Sequence, residues 1–479
     1  MENNQKLSFL EKCAYGAGDM ACNLFWGLIV LSSVFYTDYF GIAPAAAATM
    51  MLIVRCIDIT FDVFIGAIAD RKKTQYGRFR PWILYGVVPF CVIGFFTFFT
   101  PDFSEGLKIV YAYVTYLLFM LMYSIVNVPY GALMGVISED PKERTAVSAY
   151  RNIGAQIGCL VVYGTLFTSV RAIQDSYQMA PQKAFSWVVG VYAIVVLVSL
   201  LCTFFFTKER VEPVKQEKNN LSDDIKDLLN NRPWIALTVA GIMMLVFIFV
   251  HNGLTAYYAK YYVAHMVADP SQPEGVRFIV DGNFLGFKLN WEVLSTILLS
   301  ISSFVTIIGT LLIRPVVAKF GKKPTWIACF VLASIASVLF CFIPKESLGT
   351  IIILQTLFTL FIGPAGFIMW SMYADVADDA EVKTGRRATG LIFSSATMAQ
   401  KLGNTLANTL PLFALGAIGF VANDVNMTED TKDAILMIFA WFPLVGSFIA
   451  IIALCFYNIN EKKIADNSAK LAELKNETK

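Results

Sequence analysis

Three charged side chains, Arg55, Asp58 and Asp62, stand at spacings of three and four in an otherwise apolar stretch. On a helix those spacings put all three on one face. An ionised Asp at the centre of a membrane-spanning helix costs about 2.5–3.5 kcal/mol. Such residues therefore persist where they face a partner, water or a passing ion. Two carboxylates on one face offer hard oxygen ligands to Na⁺, and they repel each other less once one takes a proton. A structural ion pair of Arg55 with one Asp, the other solvated, is the plain alternative. Two acids exceed what one Arg neutralises, which favours the binding reading.

Other polar residues sit at comparable depth. Asp19 and Asn23 are four apart at the entry of the first apolar run, where Asp19 either lines a cavity or is solvated. Tyr123, Ser124 and Asn127, ahead of Pro129, share one face. They suit stacking and hydrogen bonding to a hydroxyl-rich ring, or a polar helix–helix contact. Arg151 has Asn152 and Gln156 nearby. Lys401 lies between Thr397 and Asn404 with Gln400 beside it, and is expected to pair across the bundle with Asp58 or Asp62, or to reach a cargo. His251 reads more simply as a packed hydrogen-bonding residue than as a proton relay.

The surroundings decide what elements hold these groups. Of 479 residues 57% are hydrophobic, 14% aromatic and only 15% charged, and the mean hydropathy is +0.60. Soluble chains carry about 25% charged residues, so the expected solvent is lipid. Twelve apolar runs are long enough to span it: 20–40, 46–69, 81–100, 108–137, 146–169, 184–207, 233–262, 291–313, 325–343, 350–374, 388–420 and 434–457. Pro89, Pro129, Pro364 and Pro411 fall within runs, as membrane helices tolerate. Of the 38 Lys and Arg, 27 fall in segments on one side, 7 on the other and four in or near spans. Both termini are accordingly expected in the cytoplasm. A net charge of +2 argues against a nucleic-acid partner, and two His leave little for a metal site. The nine cysteines contain no CxxC pair and read as small buried hydrophobes. The run 24–35 followed by Ala43-Pro44-Ala45 imitates a secretory leader, but Glu11 and Asp19 ahead of it speak against that.

The chain also reads as two halves. Residues 1–207 form an amino-terminal six-helix bundle, 208–232 a charged cytoplasmic linker with a short helix over 221–229, 233–457 a second six-helix bundle and 458–479 a cytoplasmic tail. Gly77-Arg78-Phe79-Arg80-Pro81-Trp82 is echoed by Gly321-Lys322-Lys323-Pro324-Thr325-Trp326, and Arg144-Thr145-Ala146 by Arg387-Ala388-Thr389. Two echoes at nearly one offset predict a duplicated unit, with a ligand site between the halves. Arg78, Arg80, Glu143, Arg144, Asp375, Asp378 and Arg387 either set topology or form salt bridges that close a cytoplasmic gate. The loop 264–290 is a turn-rich flap or a plain connector. No GxxxxGK[ST], HExxH or GxSxG device is present, so uphill work would draw on an ion gradient and no enzyme activity is expected.

Several motifs together resemble one family. Tyr15-Gly16-Ala17-Gly18-Asp19, Phe35-Tyr36-Thr37-Asp38, Arg55-Cys56-Ile57-Asp58 with Asp62, Gly77–Trp82, Asn127-Val128-Pro129-Tyr130 and Ala374-Asp375 look like the glycoside–pentoside–hexuronide:cation symporters, the melibiose-carrier branch of the major facilitator superfamily. The resemblance covers essentially the whole chain. It implies an all-α membrane protein of twelve helices in two pseudo-symmetric bundles. It further implies cation coupling at Asp58, Asp62, Ser124 and Lys401, and sugar binding by Asp19, Asn23, Tyr123, Asn127, Arg151 and Thr397. Asn23 and Asn127 replace acidic residues of the melibiose carriers, Phe61 an Asn ligand, Ser124 a Thr, and Gly131 and Gly366 two Trp. The lost oxygen ligand points to H⁺ over Na⁺, and the glycines to a wider pocket for a larger glycoside, an oligosaccharide or an acidic sugar.

The expectation is thus a monomeric bacterial inner-membrane importer of a sugar or glycoside, in contact with membrane lipid, needing no cofactor beyond its coupling ion and working by alternating access. An amphipathic-lipid symporter of the same fold is the nearest rival, favoured by an apolar pocket with a side opening. A non-transporting glycoside sensor would want a signalling domain.

Overall fold

The computed structural model describes residues 6–71, 74–138, 141–210, 229–268, 276–284, 287–384, 389–424 and 427–477. The expected linker helix over 221–229 lies almost wholly outside them. Helix dominates: α1 (Phe9–Val30), α2 (Pro44–Arg71), α3 (Arg80–Thr97), α4 (Glu105–Val136), α5 (Pro141–Tyr177), α6 (Pro181–Phe206), α7 (Arg232–Tyr257), α8 (Trp291–Phe320), α9 (Lys322–Leu339), α10 (Leu348–Ile362), α11 (Ala365–Thr384), α12 (Thr389–Ala417), α13 (Glu429–Cys455) and α14 (Glu461–Glu477). Polar caps start several of them. Ser8, Asn231, Asn290 and Thr428 each accept a bond from the backbone N–H three residues on, satisfying donors that the helix leaves free.

Among the described residues nine helical stretches are long and apolar enough to cross a bilayer, and a tenth is the bent pair Phe9–Val30 with Ser32–Tyr39. Of the twelve expected spans, those corresponding to α2 and α12 are not among these ten, and both helices include residues whose side chains lie outside what is described. They are the helices that carry Arg55, Asp58 and Asp62, and Gln400, Lys401, Asn404 and Asn408. The tenth predicted run divides at Gly363-Pro364 into α10 and α11, where Pro364 has no N–H to give to the helix ladder.

Helices α1–α6 pack on one another, α7–α13 do likewise, and the two sets meet along α2–α12 and α5–α8. Outward faces are apolar: Phe64, Tyr85, Phe205, Phe304, Leu311 and Phe448 are all exposed, as a lipid solvent permits. The tightest contact is α1 on α5, where a Cβ on Gly154 would collide with the Gly16 carbonyl. That close approach is what brings the polar faces of α1 and α5 together.

The echoed turns are built alike. Gly77 has φ 111° and Gly321 φ 87°, both left-handed. Behind each glycine an acid from a later segment caps the helix that follows. The Glu209 carboxylate accepts from the backbone N–H groups of Arg78, Phe79 and Arg80 at 2.8, 2.8 and 3.0 Å. Glu461 accepts from that of Lys322 at 3.0 Å. Each carboxylate also sits at the positive end of a helix dipole.

The segment after α7 is more ordered than a connector. A π-helical turn, Tyr258–Val263, leads into β1 (Ala264–Ala268), which pairs antiparallel with β2 (Val276–Val280), followed by the two-residue strands β3 (Asn283–Phe284) and β4 (Phe287–Lys288). A second π-helical turn, Phe35–Tyr39, ends α1 after its bend.

Candidate functional site

Helix α2 presents its charged face to α4 and α12. Asp58 is fully buried, and Ser124 on α4 donates its hydroxyl to Asp58 Oδ1 at 2.7 Å. Arg55 Nη1 lies 3.5 Å from Asp58 Oδ2, with its guanidinium 5.4 Å from the Trp26 ring centre. From α12, Lys401 reaches across the boundary between the helix sets. Its Nζ lies 3.5 Å from Asp58 Oδ2 and is ion-paired with Asp62. The two carboxylates are thus balanced by two cations, one from each set. Asp58 Oδ2 and Asp62 Oδ1 nonetheless lack a hydrogen bond among the described residues, as do Arg55 Nε and Nη2. Burying such atoms is costly, so the cluster is better matched to a changing set of partners than to a fixed one. The Lys401 ammonium stands between the two carboxylates of α2.

A second cluster lies on α1 and α5. Arg151 Nε donates to Asp19 Oδ1 at 3.2 Å, and its guanidinium lies 5.8 Å from the Tyr130 ring. Tyr15 and Tyr130 stack at 4.8 Å, and each hydroxyl donates to the other residue's backbone carbonyl, at 3.1 and 2.7 Å. This clasp fixes the wall on which Arg151 rests. Asn23 is half-buried, donates to the Asp19 carbonyl at 2.9 Å and accepts a weak Cys159 Sγ contact at 3.8 Å. Its amide is therefore spoken for within its own surroundings. Tyr123 packs against Trp26 at 5.9 Å and Phe90 at 6.0 Å. Asn127 is half-buried one turn further along α4. The backbone of Thr397 runs in α12, one turn before Lys401, and its side chain lies outside what is described. A Cβ at Gly131 or Gly366 would meet nothing within 4 Å, so both positions border open space.

Trp26 joins the two clusters, touching Arg55 and Tyr123, and sequence reasoning passed over it. The signal was present: Asp19, Asn23 and Trp26 fall at i, i+4 and i+7, on one face of α1.

The charges at the ends of the helices pair locally. Lys12 bridges to Glu143 at 2.7 Å, Lys322 to Asp375 at 2.6 Å, and Arg210 to Glu11 through bonds of 2.7 and 2.9 Å. Arg80 donates to the carbonyl of Phe204 at 2.6 Å and covers that ring at 4.7 Å. Each of these contacts joins residues of one helix set. Arg78 offers its backbone N–H to Glu209, as above, and Asp378 is exposed. Arg144 lies in α5 with its side chain outside what is described, and Arg387 lies outside the described residues altogether.

The family described as MFS/sugar transport protein matches residues 14–268 and 284–461. The chain belongs to the glycoside–pentoside–hexuronide:cation symporter family of the major facilitator superfamily. Among its relatives, the glucuronide carrier protein homolog of Escherichia coli is 29% identical over 472 residues, covering 97% of this chain and 95% of that one. The isoprimeverose transporter of Lactiplantibacillus pentosus is 28% identical over 475 residues, covering 97% and 92%. The fold is similar to that of a bacterial homolog of the human lysosomal transporter Spinster, with a TM-score of 0.66 at 11% identity over 97% of this chain and 99% of the other.

Proposed function

We propose that this symporter-family chain carries a glycoside across the bacterial cytoplasmic membrane together with a cation, by alternating access between two six-helix units of a twelve-span bundle. Both termini lie in the cytoplasm on this reading, as the excess of basic residues on one side requires. The observation that carries the proposal is the position of Lys401. Its ammonium, from one helix set, neutralises Asp58 and Asp62 of the other and so ties the sets together at mid-length. An arriving cation competes for the same oxygens. When the carboxylates bind it, Lys401 is released, the tie between α2 and α12 loosens, and the sets are free to rock.

The cargo side rests on Asp19, Arg151, Tyr123, Trp26 and Asn127. A carboxylate and a guanidinium held as one pair offer an acceptor and donors to neighbouring hydroxyls, and a flanking aromatic face covers a sugar ring. Two relatives are named as a glucuronide carrier homolog and an isoprimeverose transporter, and those names fit cargo of this class. The open space beside Gly131 and Gly366 favours more than one sugar unit. Phe61 in place of an oxygen ligand favours H⁺ over Na⁺.

A binding screen of the purified carrier against mono- and disaccharide glycosides and uronides, each with and without Na⁺ at two pH values, tests the reading. Saturable binding of a glycoside that strengthens at the lower pH is expected. Binding of lysolipid alone would replace this reading with that of a lipid symporter.

A further inference from the structure

A second ion pair joins the two helix sets, far from the first. Asp38, in the π-helical turn ending α1, and Lys260, in the one extending α7, meet at 2.6 Å and are only 5% and 4% exposed. They lie at the end opposite the chain termini, where Gly416 of α12 also packs on Ala45 of α2. Everything around them is arranged to receive the charges. Lys260 Nζ donates to Asn423 Oδ1 at 2.8 Å, and the Tyr261 hydroxyl bonds to Asp38. Thr37 donates to Asp38 Oδ2 at 2.6 Å and shares a 2.7 Å hydroxyl contact with Tyr257 of the other set. The ammonium also stands 5.1, 4.8 and 5.1 Å from the rings of Tyr261, Phe278 and Trp291. Phe278 comes from β2, so the hairpin supplies one wall of the cage. Asn423 is held with φ 58°, its N–H on the Tyr261 hydroxyl at 3.2 Å.

We propose that Asp38 and Lys260 are the gate of the carrier at the end opposite its termini, and that the pair parts and re-forms in every turnover. The proposal rests on the alternating-access reading above. A pair that belonged to one helix set would only stabilise a bundle; this one spans the boundary along which the sets must separate. The ring cage and Asn423 make the bound lysine a tethered cation, stable when seated and costly to leave half-paired. Removing one partner therefore shifts the population toward the state open at this end.

The test reads access to the pocket without requiring transport. In a variant with the nine native cysteines replaced by serine and Asn127→Cys as reporter, labelling by a membrane-impermeant maleimide is timed from each face of oriented vesicles. Lys260→Met and Asp38→Asn should each raise labelling from the face opposite the termini at least tenfold. The exchanged pair, Asp38→Lys with Lys260→Asp, should bring it back toward the parent rate. Parental labelling rates in both single variants would overturn the gate. Should the single variants not reach the membrane, Lys260→Arg keeps the charge but not the fit in the ring cage: faster labelling supports the gate, and the parental rate overturns it. If labelling shifts as expected while the parent carrier, with Asn127 intact, neither binds nor moves a glycoside, the gate stands and the cargo reading fails.

Discussion

Lys401 is ion-paired with Asp62 across the boundary between the two helix sets, and its ammonium lies 3.5 Å from Asp58 Oδ2. A single side chain thus engages both carboxylates that sequence spacing places on one face of α2. Competition between this tethered cation and a diffusible one is the core of the account, and it fixes the sign of several outcomes.

Lys401→Met removes the competitor and leaves Arg55 alone to balance the two carboxylates. The coupling cation should then bind more tightly, with half-saturation falling about tenfold, the equivalent of roughly 1.4 kcal/mol. Uphill accumulation should fail, because the emptied site no longer has a partner to re-form. Cation titration of glycoside binding and vesicle uptake measure the two halves of this statement. Weaker cation binding in the variant would contradict it.

Ser124→Ala deletes the hydroxyl that donates to Asp58 at 2.7 Å. Hydrogen bonds to charged groups are worth about 1.5–3 kcal/mol. The cation concentration for half-maximal uptake should shift about tenfold or more, while glycoside affinity at saturating cation stays within about twofold. An effect confined to glycoside affinity would move Ser124 to the cargo side.

Asp19→Asn and Arg151→Gln should each weaken glycoside binding about tenfold or more. The double variant should lose little beyond the worse single one, since the two act as a unit. Calorimetric titration gives the coupling directly. Simple additivity would mean that the two residues engage the cargo independently and not as a unit.

Gly154→Val forces a branched side chain against the backbone of α1 where a Cβ already collides with the Gly16 carbonyl. Overpacking of this kind costs about 1–3 kcal/mol. Thermal unfolding in detergent should move down by several degrees, with loss of glycoside binding as Asp19 and Arg151 are pushed apart.

Much of this was legible in the sequence because lipid makes polar residues conspicuous. Arg55, Asp58, Asp62, Arg151 and Lys401 announce themselves by standing in apolar runs, and the repeated turns at Gly77 and Gly321 announce the internal echo. Three-dimensional proximity was less legible. Nothing in spacing says that Trp26 bridges the two clusters, or that the Asn23 amide contacts both its own helix and Cys159 of α5. Glu209 and Glu461 look like ordinary acids after a span, although each caps a helix begun far earlier in the chain. Asp38 and Lys260, 222 residues apart, read singly as a motif residue and a lysine in or near a span. Only the fold shows that they meet.

The most direct test of the central claim is glycoside accumulation in vesicles under an imposed proton gradient, for the parent carrier and for Asp58→Asn. The parent should accumulate glycoside uphill until an uncoupler is added, and Asp58→Asn should retain glycoside exchange at equal concentrations but accumulate none. Accumulation by the parent that ignores H⁺, Na⁺ and Li⁺ gradients alike, or uphill accumulation by Asp58→Asn, would contradict it.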